Sequence, residues 1–318
     1  MKNNILQQLM KSKKMRKQFS EAIVKRCNNS EMTFLTGDLG FMALEPIQLA
    51  LSERFINLGI AEQNMISVAA ALSRDGWETW VYSIAPFCYA RPFEQIRNDI
   101  CFHNLPVKIV GNGGGYGYGV MGPTHHAIED YGIMLTLPNM KVLIPAFDED
   151  VFSVIEIAGQ MNNPLYLRLG KGDIPDNFVV PQYNSWRQLT FGGGGVIIGT
   201  GPIVGTYIEK LQNLPEYIRP NLWVVTELPI EKKSMPNELL KQLSKGNGLI
   251  VVEEHVRRGG LGSELALFII ENKIQVGEFH HLFALSHHYE KYGSQFFLRK
   301  QSKIDIDSLL ELLDAIKK

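Results

Sequence analysis

The chain is poor in the features that mark secreted, membrane-spanning or nucleic-acid-binding proteins. Its three cysteines, Cys27, Cys88 and Cys101, have no CxxC spacing and no nearby histidine cluster. That argues against a zinc site or a disulfide framework and fits a reducing, cytoplasmic setting. Neither sign of charge dominates, since 32 basic residues face 33 acidic ones. No global field therefore favours nucleic acid or a membrane surface, and an anionic ligand must be met locally. No apolar run is long enough to span a bilayer, and the N-terminus, rich in Lys and Gln, lacks a signal-peptide core. Internal repeats and low-complexity tracts are also missing. The glycines at 192 to 195 read as an edge turn rather than a phosphate cradle.

What is present is a globular composition. The 318 residues, 45% hydrophobic and 20% charged, are enough for two domains with their own cores. Lys11, Lys13, Lys14, Arg16 and Lys17 read as the wet face of a helix whose other side carries Leu6, Leu9, Phe19 and Ile23. Strand and helix then alternate. Strands are expected over Met32 to Leu35, Arg54 to Leu58, Glu78 to Ser83, Val107 to Val110, Lys141 to Ile144 and Leu165 to Leu169. Helices are expected over Asn64 to Arg74, Pro92 to Phe102, Thr124 to Leu135 and Glu149 to Gln160. This alternation predicts a doubly wound parallel α/β sheet, with ligands at the carboxyl ends of its strands. Periodicity fails between Gly170 and Gly192, where a linker is placed. A smaller α/β unit follows, with strands near 195 to 201, Leu222 to Val225 and Leu249 to Glu253 and a helix near Ser263 to Ile270. The division is residues 1–175 and 192–318.

Two stretches carry chemistry. In Arg54-Phe55-Ile56-Asn57-Leu58-Gly59-Ile60-Ala61-Glu62-Gln63, an apolar strand delivers a carboxylate straight into a helix. Among Ile60, Met65 and Ile66 such a carboxyl is expected to be desolvated, which raises its pKa and lets it share a proton near neutrality. The second stretch is glycine-rich and runs from Gly111 to Gly122, closing with Pro123-Thr124-His125-His126. Gly117, Gly119 and Gly122 satisfy GxGxxG, but the preceding strand ends several residues too early for a dinucleotide turn, and only Asp148 offers a ribose contact. The loop instead reads as backbone that a ligand can approach closely, with His125 at the start of the next helix. Taken singly, each residue has a plain structural reading. A glutamate at a helix start complements the helix dipole, a phenylalanine packs a core, and an aspartate after a strand makes a turn.

Their joint order resembles the pyrimidine-binding half of transketolases. The match comprises Gly59-Ile60-Ala61-Glu62-Gln63, then Ile84-Ala85-Pro86-Phe87 with Arg91 and Phe93-Glu94-Gln95, then Gly122-Pro123-Thr124-His125, and it extends from about Asp38 to Lys171. The resemblance implies thiamine diphosphate as cofactor. Glu62 would hydrogen-bond the aminopyrimidine and drive it toward the imino form that deprotonates the thiazolium carbon. Phe87 would stack on that ring, and Asp38, Ile60, Ile84 and Arg91 would line it, Ile84 standing where many relatives carry an aromatic. His125 would serve as acid, base or hydrogen-bond donor near the substrate.

The departures from the family pattern concern the substrate. The acidic residue expected before GPTH is Met121, and the loop histidine falls at Gly113. A thioether cannot hydrogen-bond a sugar hydroxyl as a carboxylate does, so a specialised substrate is expected rather than the usual ketose phosphates. Lys171 lies close to where relatives present an arginine to phosphate. No GDG motif occurs in the chain, so the Mg²⁺ or Ca²⁺ that holds the diphosphate is expected on a separate N-terminal, diphosphate-binding subunit. The expected assembly is a heterotetramer with two copies of each chain and the cofactor between unlike subunits. The alternatives are a 2-oxo acid decarboxylating or deoxyxylulose phosphate synthase-like subunit, and a noncatalytic regulatory partner.

Overall fold

The computed structural model describes residues 14–28, 31–40, 43–285, 287, 290 and 293–316. The expected apolar positions Leu6 and Leu9, and the basic residues Lys11 and Lys13, lie outside the described residues.

The described chain opens with α1 (Lys14–Cys27) and β1 (Met32–Thr36), followed by α2 (Glu45–Leu51) and β2 (Phe55–Asn57). Next come α3 (Glu62–Arg74), β3 (Glu78–Ile84), α4 (Ala85–Tyr89) and α5 (Phe93–Gln95), the last continuing into a π-helical turn, Ile96–Cys101. Then β4 (Lys108–Asn112), α6 (Asp130–Leu135), β5 (Lys141–Leu143), α7 (Asp150–Gln160) and β6 (Leu165–Leu169) complete the first run. The second run consists of β7 (Trp186–Gln188), β8 (Val196–Thr200), α8 (Ile208–Gln212), β9 (Asn221–Val225), β10 (Glu227–Leu228), α9 (Asn237–Ser244), β11 (Leu249–Val252), α10 (Leu261–Glu271), β12 (Phe279–Leu282), α11 (Gln295–Gln301) and α12 (Ile306–Ile316).

The strands form two sheets. The first has seven strands in the order β10-β5-β6-β4-β3-β1-β2, all parallel except the terminal β10. The second has five, β12-β11-β8-β9-β7, parallel except for β7. Parallel strands linked by helices are covered on both faces, so their sequences read as continuous apolar runs. In β3 the period of two divides the load. Trp80 and Tyr82 pack with Phe19 and Ile23 of α1 on one side, while Val81 joins Met65, Ile66 and Ala69 of α3 on the other. The helix α3 stops at Asp75-Gly76, where Gly76 takes φ +96°.

Two short strands were not expected, and one expected helix needs correction. The linker is not devoid of strand, because β7 lies within it and pairs antiparallel with β9. From the second run, β10 crosses back and caps the first sheet by pairing with β5, Glu227 opposite Leu143. The helix expected over Thr124 to Leu135 begins only at Asp130; before it lie a 3-10 turn, Pro123–His125, and a bridge between Gly115 and Ala127. The bridge explains the shortening. Backbone pairing with Gly115 holds Ala127 extended, and Asp130 is fixed by Arg168 at 2.8 Å and Tyr166 at 2.8 Å. Glycines 193 and 194 donate to Glu216 and Arg219 carbonyls, the packing of a turn.

Candidate active site at the carboxyl edge of the first sheet

The loops after β1, β2, β3 and β4 converge on one edge. Asn57, at the end of β2, accepts from the Asp38 amide at 2.9 Å and the Gly59 amide at 3.0 Å, tying the first loop to the second. Gly37 is so close that an added Cβ would lie 3.0 Å from the Gly59 carbonyl oxygen and 3.9 Å from Glu62 Cγ. Asp38 itself is exposed and takes φ +54°.

Glu62 opens α3 and is 5% exposed. Its surroundings differ from the apolar pocket expected. Ile60 turns outward and is 77% exposed, and the carboxylate instead accepts from Arg91 Nη1 at 2.6 Å. Arg91 comes from the turn after α4, and its guanidinium lies 3.9 Å above the centroid of Phe87. On the other flank the His125 ring meets Phe87 edge-on with centroids 5.2 Å apart. Glu62, Arg91, Phe87 and His125 thus form one contiguous cluster, drawn from the segments that follow β2, β3 and β4. Its guanidinium end is open, since the Arg91 side chain is 44% exposed.

His125 Nδ1 is 3.0 Å from the Thr124 hydroxyl. Burial, aided by the positive charge of Arg91, pushes its pKa below the ordinary 6.5. The ring is accordingly neutral at pH 7, with one nitrogen able to accept a proton and the other to donate one.

Ile84 ends β3, in register with Asn112 at the end of β4. Gly113 follows with φ +80°, and a Cβ there would sit 2.1 Å from Tyr118 Cε2. The Tyr118 ring therefore fills the space where a side chain at 113 would project. Its hydroxyl accepts from Asn112 Nδ2 at 2.6 Å, and its ring stands edge-on to His125 at 6.4 Å. Burial raises the Tyr118 phenol above its ordinary value against the opposing pull of the Arg16 guanidinium. Sequence reasoning missed Tyr118 because it is one of two tyrosines, with Tyr116, set inside a glycine run. Both interrupt the run, so the pattern alone does not single it out. Met121, in the turn Gly119–Met121, is 56% exposed, so a thioether faces outward where an acidic side chain was expected.

Lys171 is not brought into the cluster. With Gly114, Arg168, Glu254 and Gln295 it lines a small cavity of about 10 Å³ between the sheets. Around that cavity runs a polar network that sequence reasoning also missed. Glu254 accepts from the Tyr116 amide at 2.7 Å and from Arg299 Nη2 at 2.6 Å, and Arg299 also donates to the Lys171 carbonyl at 3.2 Å. Arg168 Nη2 donates to the Glu254 carbonyl at 2.8 Å and to the Ala127 carbonyl at 2.9 Å. One carboxylate of the second run thereby anchors the glycine loop of the first. A larger recess of about 990 Å³ is lined by Ile174, Phe178, Gln188, Phe191 and Arg219 among others. It shares no residue with the Glu62 cluster.

Among the described residues, no three His, Cys, Asp or Glu side chains converge as metal ligands, and no helix is long and apolar enough to cross a membrane.

An open, mostly parallel sheet whose strand ends gather a carboxylate, an aromatic ring and a histidine defines an α/β protein of the class in which ligands bind at the carboxyl edge of the strands. More narrowly, the chain belongs to the transketolase family, since the family model "Transketolase, pyrimidine binding domain" matches residues 9–176. It is 28% identical to one of the subunits of the apulose-4-phosphate transketolase of Phocaeicola vulgatus, over 82% of this chain and 85% of that protein. It is 31% identical to a putative transketolase C-terminal section of Methanocaldococcus jannaschii, over 82% and 83%. A 1-deoxy-D-xylulose-5-phosphate synthase of Clostridium perfringens matches at 26% identity over 80% of this chain but 41% of its own length. Among solved structures, one described as "Split gene transketolase, inactive beta4 tetramer" superposes with a TM-score of 0.79 at 27% identity, covering 95% of this chain and 97% of that one. The transketolase of Campylobacter jejuni shares the fold, with a TM-score of 0.72 at 16% identity, over 94% of this chain and 46% of that one. The chain thus spans about half the length of the whole transketolase it matches and nearly the full length of the split one.

Proposed function

We propose that this chain is the C-terminal, pyrimidine-binding subunit of a two-subunit, thiamine diphosphate-dependent transketolase-like enzyme that moves a ketol or acyl unit to an aldehyde acceptor. The observation that carries the reading is the Glu62–Arg91–Phe87–His125 cluster at the sheet edge. The residues fit the cofactor's ring. A planar, nitrogen-bearing group already sits there, bonded to Glu62 and stacked on Phe87, in the form of the Arg91 guanidinium. When bound, thiamine diphosphate supplies the electron sink that stabilises a carbanion next to a carbonyl. Glu62 would hold its ring by a hydrogen bond, and Phe87 would offer an aromatic face to it. Asp38, Ile60 and Ile84 occupy the surrounding loops. His125, neutral at pH 7, is placed to accept or return a proton at a substrate oxygen.

The chain is proposed to act with a diphosphate-binding partner that supplies the Mg²⁺ or Ca²⁺ ligands, two copies of each subunit forming the assembly. Residues 1–175 would form the pyrimidine-binding unit and 192–318 the C-terminal one. The split relatives, which this chain matches over most of their length, support this arrangement. Tyr118 over Gly113 and the outward Met121 favour a specialised substrate, because the loop presents an aromatic ring and a thioether where hydroxyl readout needs polar groups.

The test is Glu62→Ala in the complex reconstituted with the partner subunit. Turnover falls by at least a hundredfold while the circular dichroism spectrum is unchanged. Retention of most activity would remove Glu62 from the chemistry. Release of carbon dioxide from pyruvate without ketol transfer would assign the synthase-like alternative instead.

A further inference from the structure

Arg91 contributes more than a neighbouring charge. It donates to Glu62 Oε1 at 2.6 Å while its guanidinium carbon lies 3.9 Å over the Phe87 ring. A planar group that offers an N–H to a carboxylate and its face to an aromatic ring has the recognition chemistry of an amidine. An aminopyrimidine presents the same N–C–N edge. A ring that took the same carboxylate oxygen and the same face of Phe87 would meet the guanidinium already there.

We propose that Arg91 is the internal occupant of the ring subsite in the separate chain, its guanidinium holding the place of an amidine-bearing ring and swinging out when that ring enters. The inference rests on the reading of Glu62 and Phe87 as ring contacts. The exposures make the exchange feasible. The Arg91 side chain is 44% exposed, so its departure leads directly to water, whereas Glu62 is 5% exposed and stays behind. A carboxylate left buried without a partner is strongly unfavourable. The vacated subsite therefore selects ligands that return an N–H to Glu62, and it rejects aromatic rings that lack one. The lone chain holds its ring subsite closed, and ligand binding must displace the guanidinium.

The probe is benzamidine, titrated calorimetrically into the purified single chain. Arg91→Ala binds it at least tenfold more tightly than the unaltered chain, and adding Glu62→Gln to that variant removes the gain. Arg91→Lys keeps a cation for Glu62 but has no planar face for Phe87; it lies between the two and covers the case in which the alanine variant fails to fold. Equal affinity in the unaltered chain and the folded Arg91 variants, or tighter binding that Glu62→Gln leaves intact, would overturn the proposal. Benzamidine carries no diphosphate and the chain is titrated alone. The result is therefore separable from any failure of ketol transfer in the assembled enzyme.

Discussion

Replacing Glu254 with alanine releases the glycine loop from the second sheet, and the size of the effect follows from its contacts. The carboxylate is buried and holds the Tyr116 amide at 2.7 Å, Gln295 Nε2 at 3.1 Å and Arg299 Nη2 at 2.6 Å. Its approach is close enough to require glycine at 115, where φ is +64° and a Cβ would lie 2.7 Å from Glu254 Cδ. A hydrogen bond to a charged acceptor contributes about 1.5–3 kcal/mol. Losing the one at Tyr116 therefore makes local opening roughly ten- to a hundredfold more frequent, at about 1.4 kcal/mol per tenfold. Arg299 loses its carboxylate as well, and breaking a buried pair costs about 3–5 kcal/mol of overall stability. Hydrogen–deuterium exchange reads both effects. Amides from 113 to 122 speed up by one to two orders of magnitude through local opening that persists without denaturant, whereas the slowest amides of β1 and β8, which exchange only through global unfolding, report the larger loss of overall stability. Unchanged loop exchange, or loop exchange that speeds up only through global unfolding, would refute the anchoring role.

Other outcomes follow from the same cluster. The His125 ring titrates below 6.5 because burial and then the Arg91 charge disfavour its cation. The folded state thus binds this proton less readily than the unfolded chain. Its contribution to stability is full above pH 6.5 and is lost as the pH falls through 6.5 toward the folded value. Proton NMR of the imidazole shows the midpoint moving up in Arg91→Ala without reaching the ordinary value, since burial remains; a midpoint at or above 6.5 in the unaltered chain contradicts this. Met121→Asp restores an acceptor at the loop, so kcat/KM for hydroxylated aldehydes such as glycolaldehyde rises about tenfold relative to propanal, in line with one hydrogen bond to a charged group. An unchanged ratio would show that residue 121 does not face the substrate.

The parallel first sheet was legible because its strands are apolar runs alternating with helical periods, and Glu62 was legible because the strand, glycine and carboxylate follow one another without interruption. Local order of this kind is written into neighbouring residues, and so is the absence of a GDG motif. The small strands β7 and β10 were not legible: two or three residues gain strand character only from a sheet edge that the chain reaches much later. The shortened helix at Asp130 shows the same limit, since a bridge to Gly115 overrode local periodicity.

By itself, the order of residues determined the fold class and the presence of a carboxylate and a histidine at strand ends, because both depend on short-range pattern. Only the tertiary structure decided what surrounds them. It turned Ile60 outward, placed Arg91 on Glu62, laid Tyr118 over Gly113 and drew Glu254 from the second sheet to the Tyr116 amide. These contacts join residues up to 138 positions apart. Their energies come from burial and charge pairing, which no local window of sequence contains.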